Sequence, residues 1–209
     1  MLKTQSAQQY WDQRTEHFSR FYTQPDWFDR VFRKAIFVRI GVAAAVGKSL
    51  EAPTALDIGS GPGINSVTLI KEGGVSHLTG IDFSSQMISS ARTTAEEAGV
   101  SSQCDFIEGD FLCYDWGDQQ FDLIVALGVL DYVSVPGKFL ERISNITRTA
   151  FVISWPKTGL RMLLRKLRYK CHVYGYSEAA IIRYHQAMGI TDLNLVRCQG
   201  GWVTIARKV

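Results

Sequence analysis

Leu56-Asp57-Ile58-Gly59-Ser60-Gly61-Pro62-Gly63 is the stretch that decides how the rest of this chain is read. An apolar run, Ala55–Ile58, enters it and a helical pattern, Ile64–Lys71, leaves it, so it reads as a strand, a glycine turn and a helix start. Glycines there let the backbone turn tightly and approach a ligand with no Cβ in the way. The dinucleotide fingerprint G-x-G-x-x-G/A asks for a small residue at position 64 or 66, where Ile64 and Ser66 stand. A nicotinamide oxidoreductase, the rival at the level of fold, is disfavoured on that ground. The pattern present is D-x-G-x-G-x-G, with Asp57 inside the strand end. An acid in that place repels a pyrophosphate and suits a ligand that carries an ammonium group.

Outward from this turn the chain alternates. His77–Asp82, Cys104–Glu108, Leu123–Ala126 and Ala150–Ser154 read as short strands, and Ser84–Ala98 and Gly137–Ile146 as helices between them. Such alternation predicts a doubly wound, mostly parallel sheet with helices on both faces. The end differs: Ser177 caps a helix that runs to Met188 and stops at Gly189. Leu193–Arg197 and Trp202–Ala206 then flank Gly200-Gly201, a hairpin that makes the last strand antiparallel.

Two more acids follow the strand ends. Asp82 closes the second strand, where an acid accepts both hydroxyls of a ribose. Gly109-Asp110-Phe111 closes the third. Asp110 is suited to an exocyclic amine, with a helix cap as its plainer reading, and Phe111 to stacking on a purine. An amine, a ribose and an adenine without a phosphate chain are the parts of S-adenosylmethionine.

With LDIGSGPG (56–63), GIDFSSQMISSAR (80–92), EGDF (108–111) and FDLIVALGVLDYV (121–133) in this order, the chain resembles the class I, Rossmann-like S-adenosylmethionine-dependent methyltransferases, of the small-molecule type. The resemblance covers roughly residues 54–154 and the terminal hairpin. It implies a seven-stranded sheet of order 3-2-1-4-5-7-6 with strand 7 antiparallel. It also implies S-adenosylmethionine as cofactor and S-adenosylhomocysteine as product. Gly59, Ser60, Gly61 and Gly63 would pass under the methionine part, Asp82 would hold the ribose, and Gly109 with Asp110 the adenine amine. Phe83 and Met87 would pack beside the adenine, and Leu127 and Gly128 would lie near the sulfur. The chain is expected to form a single domain, 1–209. Within it lie an N-terminal helical cap (1–48), a cofactor-binding core (54–154), a basic lid (155–176) and a helix with the terminal hairpin (177–209).

Transfer from a sulfonium needs little acid–base help, because a neutral thioether departs and alignment contributes most of the effect. Residues placed for the acceptor are Asp131 and Tyr132, directly after the fourth strand, with His185 as a third candidate proton acceptor. The plainer readings are a surface acid, a half-buried tyrosine and a core histidine. An Asn/Asp-Pro-Pro-aromatic motif, a Pro-Cys pair and paired glutamates are absent after that strand, which favours a small-molecule acceptor over RNA or protein. From Trp155 to Tyr176 the chain carries Lys157, Arg161, Arg165, Lys166, Arg168 and Lys170 and no acid. Leu160, Leu163, Leu164 and Leu167 run beside them, so this reads as a basic amphipathic helix. As a lid it would bring Trp155, Arg161, Arg165 and Arg168 to an anionic acceptor. Residues 157–170 are also suited to an acidic partner or a peripheral membrane surface, or to docking a non-catalytic, cofactor-binding scaffold.

In the N-terminal part Phe28, Val31, Phe32, Ala35 and Ile36 form one helical stripe, and Arg39 falls on it. A cation there either reaches the surface or meets a buried anion, of which the cofactor carboxylate is one, with Tyr10, Trp11 and Tyr22 closing the same pocket. The 209 residues are 46% hydrophobic and 21% charged, enough apolar content for a core, which excludes a disordered chain. A net charge of +3 is too small for a nucleic-acid binder on global charge. Cys104, Cys113, Cys171 and Cys198 have no metal-ligand spacing, and no metal is expected. The N-terminal stretch lacks an apolar signal core, so reduced thiols and a cytoplasmic location are the expectation.

Overall fold

A computed structural model of the chain describes residues 34–159, 162–163 and 171–208. Its elements are α1 (Lys34–Leu50), β1 (Thr54–Ile58), α2 (Ile64–Gly73), β2 (His77–Asp82), α3 (Ser85–Glu97), β3 (Cys104–Glu108), β4 (Phe121–Ala126), α4 (Pro136–Ile146), β5 (Thr147–Pro156), α5 (Glu178–Gln186), β6 (Asp192–Cys198) and β7 (Gly201–Arg207). The sheet has seven strands in the order β3-β2-β1-β4-β5-β7-β6. Strands β1 to β5 pair parallel, and β7 is antiparallel to both β5 and β6.

Strand alternation sorts the core into two layers. On one face Ala55, Leu78, Leu123, Val125 and Val152 meet α1, α2 and α3 through Ile40, Ala43, Leu69, Ile88 and Ala91. On the other face Leu56, Ile58, Ile124, Phe151 and Ile153 meet α4 and α5 through Phe139, Leu140, Ile143 and Ile181. Ser84 and Ser177 cap α3 and α5, the second as its sequence predicts, accepting from the amides of Met87 and Ala180. Strand β5 runs two residues past the expected Ser154, because Trp155 and Pro156 pair with Trp202 and Gly201 of β7. The basic stretch therefore leaves the sheet at Lys157. Among the described residues no helix is long and apolar enough to cross a membrane.

Order reverses between β1 and β4, whose strands lie side by side while the chain departs to opposite flanks. A crevice opens at the carboxyl ends of the strands at such a switch point, and ligands bind there in open α/β sheets. The opposite end of the same strands is stapled by Asp122. Its carboxylate accepts the Thr54 amide at 3.1 Å, the Thr54 hydroxyl at 2.6 Å and Arg148 at 2.7 Å, so it ties β1, β4 and β5. Burial pushes this carboxyl up, and the hydrogen bonds from Thr54 and Arg148 outweigh that and hold it below its ordinary value.

Asp122→Ala leaves the Thr54 amide without its acceptor and should cost about 2 kcal/mol in urea unfolding, with cofactor affinity little changed. His185 is fully buried on α5, and burial lowers its pKa below the ordinary 6.5. The unfolded chain therefore takes up a proton that the folded chain refuses, so stability should fall as pH drops below about 6.5. Replacing His185 with Leu should flatten that part of the melting-temperature profile.

Candidate functional site

The turn after β1 is held by main-chain bonds to β2: the Gly59 and Ser60 amides both donate to the Ile81 carbonyl, at 2.8 and 3.2 Å. Asp82 completes the hold. One carboxylate oxygen accepts the Gly61 amide at 2.9 Å and the other the Ser84 amide at 3.0 Å. Gly59, Gly61 and Gly63 have φ of 67°, 53° and 82°, in the left-handed region that L side chains rarely enter. Close approach adds a second reason at two of them. A Cβ on Gly59 would stand 2.5 Å from Val129 Cγ2, in the loop after β4, and one on Gly63 would stand 2.9 Å from the Ala91 Cα of α3. Gly61 and Gly128 face open space, with nothing within 4 Å of a built Cβ, so a ligand can reach both backbones.

Asp57 lies beneath this turn, fully buried on the α1–α3 side of the sheet. Ser66 of α2 donates its hydroxyl to one carboxylate oxygen at 2.7 Å, and the other oxygen is buried without a partner. Burial raises its pKa from 3.8 to about 7, Ser66 draws it back, and the Asp82 charge adds to the rise. Asp57 and Asp82 share a sheet face, since Asp57 pairs with Gly80 and Asp82 is two residues on. Two acids beneath one loop favour a cationic ligand and disfavour phosphates. Ser66 carries no signal in the sequence; only the return of α2 over β1 reveals its role.

The β3–β4 connection starts where the Gly109 amide donates to the Asp82 carbonyl at 2.9 Å, which sets Asp110 one residue from that anchor. Asp110 is exposed, and one of its carboxylate oxygens accepts the Leu112 amide at 2.9 Å, the capping role set beside its ligand role. Phe111 corrects the stacking expectation. Its ring is 5% exposed and packs edge-on to Phe139 at 5.2 Å and tilted to Trp116 at 6.2 Å, so it belongs to the core. Alternation in a loop has no period, and nothing in the local sequence says which way that ring turns.

After β4 the Gly128 amide donates to the Ser154 hydroxyl at 2.7 Å, which fixes the Leu127–Gly128 turn against β5. Asp131 is buried and Tyr132 half-buried. The far end of the basic stretch docks on this loop: the Tyr174 amide donates to the Asp131 carbonyl at 2.8 Å, and the Tyr176 hydroxyl to the Val133 carbonyl at 2.8 Å. Met162, Cys171 and Val173 form a small apolar cluster on which Tyr132 packs. Phe83 is half-buried and Met87 is 2% exposed in the first turn of α3.

Two expected contacts are corrected. Trp155 is fully buried, its indole donating to Thr204 at 2.9 Å and its ring meeting Tyr176 and Tyr184, so it faces the core and no ligand. His185 is fully buried too: its Nδ1 bonds the Ile181 carbonyl at 2.8 Å, its ring stacks on Phe151, and burial keeps it neutral. It is the core histidine of the plainer reading. Arg39 of α1 is half-buried, and its Nε is buried without a hydrogen-bond partner. Tyr10, Trp11, Tyr22, Arg161, Arg165 and Arg168 lie outside the described residues, as do Phe28, Val31 and Phe32 of the apolar stripe.

A 3-2-1-4-5-7-6 sheet with an antiparallel seventh strand, carrying a glycine turn and two strand-end acids at its switch point, is the Rossmann-like fold of known methyltransferases. Residues 55–150 match the family described as a methyltransferase domain. Magnesium protoporphyrin IX methyltransferase from Synechocystis PCC 6803, solved with bound SAH, has the same fold with a TM-score of 0.74 at 18% identity, covering 96% of this chain and 95% of that one. The protein-lysine N-methyltransferase EFM4 of Saccharomyces cerevisiae is 30% identical over 87 residues, 42% of this chain and 38% of its own. The ubiquinone/menaquinone biosynthesis C-methyltransferase of Roseobacter denitrificans is 28% identical over 93 residues, 44% of this chain and 37% of its own. The matches thus span under two fifths of either curated relative's length.

The raised pKa of Asp57 gives a signed test. The folded chain keeps a proton that the unfolded chain releases above about 3.8, so this group's contribution is lost as pH rises through about 7. Asp57→Asn, which still accepts from Ser66, should therefore gain on wild type in ligand-free urea unfolding, on the order of 2–4 kcal/mol at pH 8.

Proposed function

We propose that this chain is an S-adenosylmethionine-dependent methyltransferase acting on a small-molecule acceptor. The observation that carries the reading is the Asp82–Gly61 tie at the β1/β4 switch point, with an open backbone at Gly61 and a buried acid beneath. The residues present fit the cofactor: buried Asp57 and Asp82 suit its cationic end, and the unpartnered Ser60 hydroxyl awaits a polar group. Asp82 would hold the ribose, and Asp110 the adenine amine. When bound, S-adenosylmethionine supplies a methyl on a sulfonium, an electrophile whose leaving group is a neutral thioether.

The protein's own part is placement. Gly59 and Gly63 let the loop lie close to β4 and α3, and Ser154 holds Leu127 and Gly128 where the sulfur end would lie. Held this way, the cofactor would offer its methyl carbon to an acceptor lone pair, with the neutral thioether as leaving group. Asp131 and Tyr132 stand after β4 to orient the acceptor, and its proton, where it has one, passes to Asp131 or to solvent. Met162, Cys171 and Val173 beside Tyr132 favour an acceptor with an apolar body. The cations of 157–170 favour an anionic group on it. Arg39 would meet the cofactor carboxylate. Gly47 of α1 abuts the Gly73 carbonyl at the end of α2, and Arg39 lies eight residues earlier, about 12 Å up the helix, level with the first turn of α2.

A protein acceptor is the second reading, favoured by the similarity to a protein-lysine methyltransferase. Labelled methyl groups should appear in low-mass extract; label in protein instead would replace the first reading with the second, and label in RNA would overturn both. By calorimetry S-adenosylhomocysteine should bind, and Gly59→Ala, strained at its φ and against Val129, should weaken it about 100-fold or more. Arg39→Ala should weaken S-adenosylmethionine about tenfold and leave its decarboxylated analogue unchanged. Equal losses for both would remove Arg39 from the site.

A further inference from the structure

The loop that carries Asp110, residues 109–120, has no helix or strand of its own, yet an amine reader must be held still to discriminate. The only side chain among the described residues that donates to its carbonyls comes from the opposite layer. Arg142 of α4 donates its Nε to the Phe111 carbonyl at 2.8 Å and a terminal nitrogen to the Tyr114 carbonyl. Its guanidinium also lies over the Phe111 ring, 5.9 Å from the centroid. Phe139, one turn earlier on α4, meets the same ring edge-on. Phe111 is thus gripped between positions 139 and 142 of one helix face, and Asp110 is its neighbour.

The turn itself closes on Asp110. Its carbonyl accepts the amides of Cys113 and Tyr114, at 2.9 and 2.8 Å, and its carboxylate accepts the Leu112 amide. Arg142 binds the Phe111 and Tyr114 carbonyls of that same turn. A planar fork fixes two carbonyls in relative orientation, which a single-point cation does not. We propose that Arg142 is the positioning residue for Asp110, and through it sets selectivity for a 6-amino purine in the cofactor. Resting on the cofactor reading above, this assigns the selectivity to a residue that touches no part of the ligand.

A double-mutant cycle tests it with two ligands, S-adenosylhomocysteine and its deaminated inosine counterpart, by calorimetry. Wild type should prefer the amine at least about tenfold, as befits a hydrogen bond to a carboxylate. Asp110→Ala should bring the preference close to one. Arg142→Met, which keeps the apolar stem, should do most of the same, and the double variant should lose nothing more. Should the Met variant fold poorly, Arg142→Lys should give a preference between wild type and Asp110→Ala.

A merely structural role for Arg142 weakens both ligands equally and leaves the preference intact, and that result overturns the proposal. Losses of preference that add in the double variant overturn it as well. A wild-type preference near one overturns the Asp110 reading and the proposal with it. Failure of both ligands to bind wild type would instead strike the cofactor reading on which both depend.

Discussion

The bond from the Gly61 amide to the Asp82 carboxylate joins the end of β2 to the turn after β1, and the cleft depends on it. Without an acceptor there, Gly61, the middle of three left-handed glycines at alternate positions, would lose the bond that selects one conformation, since glycine's freedom is what lets the chain turn. The register of β1 against β2, Ile58 opposite Ile81, brings that acceptor level with the loop. The same Asp82 passes its carbonyl to Gly109, so the start of the third strand's loop is referenced to one residue. Three loops from β1, β2 and β3 thus share a common anchor.

Burial of acid under that loop is the second constraint. Asp57 is held by one hydroxyl, is otherwise unsatisfied, and sits near Asp82 on the same sheet face. Such an arrangement costs stability in the ligand-free chain and is relieved by a cation. Strain of this sort is common where a protein is shaped for a ligand, and the staple formed by Asp122 at the far end of the same strands offsets it. One end of β1 and β4 is thereby tied for stability and the other left open.

The basic stretch returns to the loop after β4 through the bonds of Tyr174 and Tyr176 to Asp131 and Val133, which moor its far end there. The apolar cluster of Met162, Cys171 and Val173 against Tyr132 gives that mooring a dry contact, while the cations of the stretch lie between its two ends.

Alternation of short apolar runs with helical stripes, the cap at Ser177, and the glycine pair at 200–201 made the layers and the terminal hairpin readable, because these are local periodicities and local backbone demands. The glycine turn and the acids at strand ends were readable for the same reason: each chemical need falls on a short stretch of chain. Ser66 beneath Asp57, Ser154 on Gly128 and Arg142 on the Phe111 carbonyl were not, since each partner comes from a different element and no spacing records it. Phe111, Trp155 and His185 all turn into the core: residue type names what a side chain is able to do, while the packing of layers decides which way it turns. The sequence by itself determined the order of elements and the chemistry at the strand ends. The tertiary structure alone decided which side chains face the cleft and which hold it in shape, because burial and hydrogen-bond partners are properties of neighbours far apart along the chain.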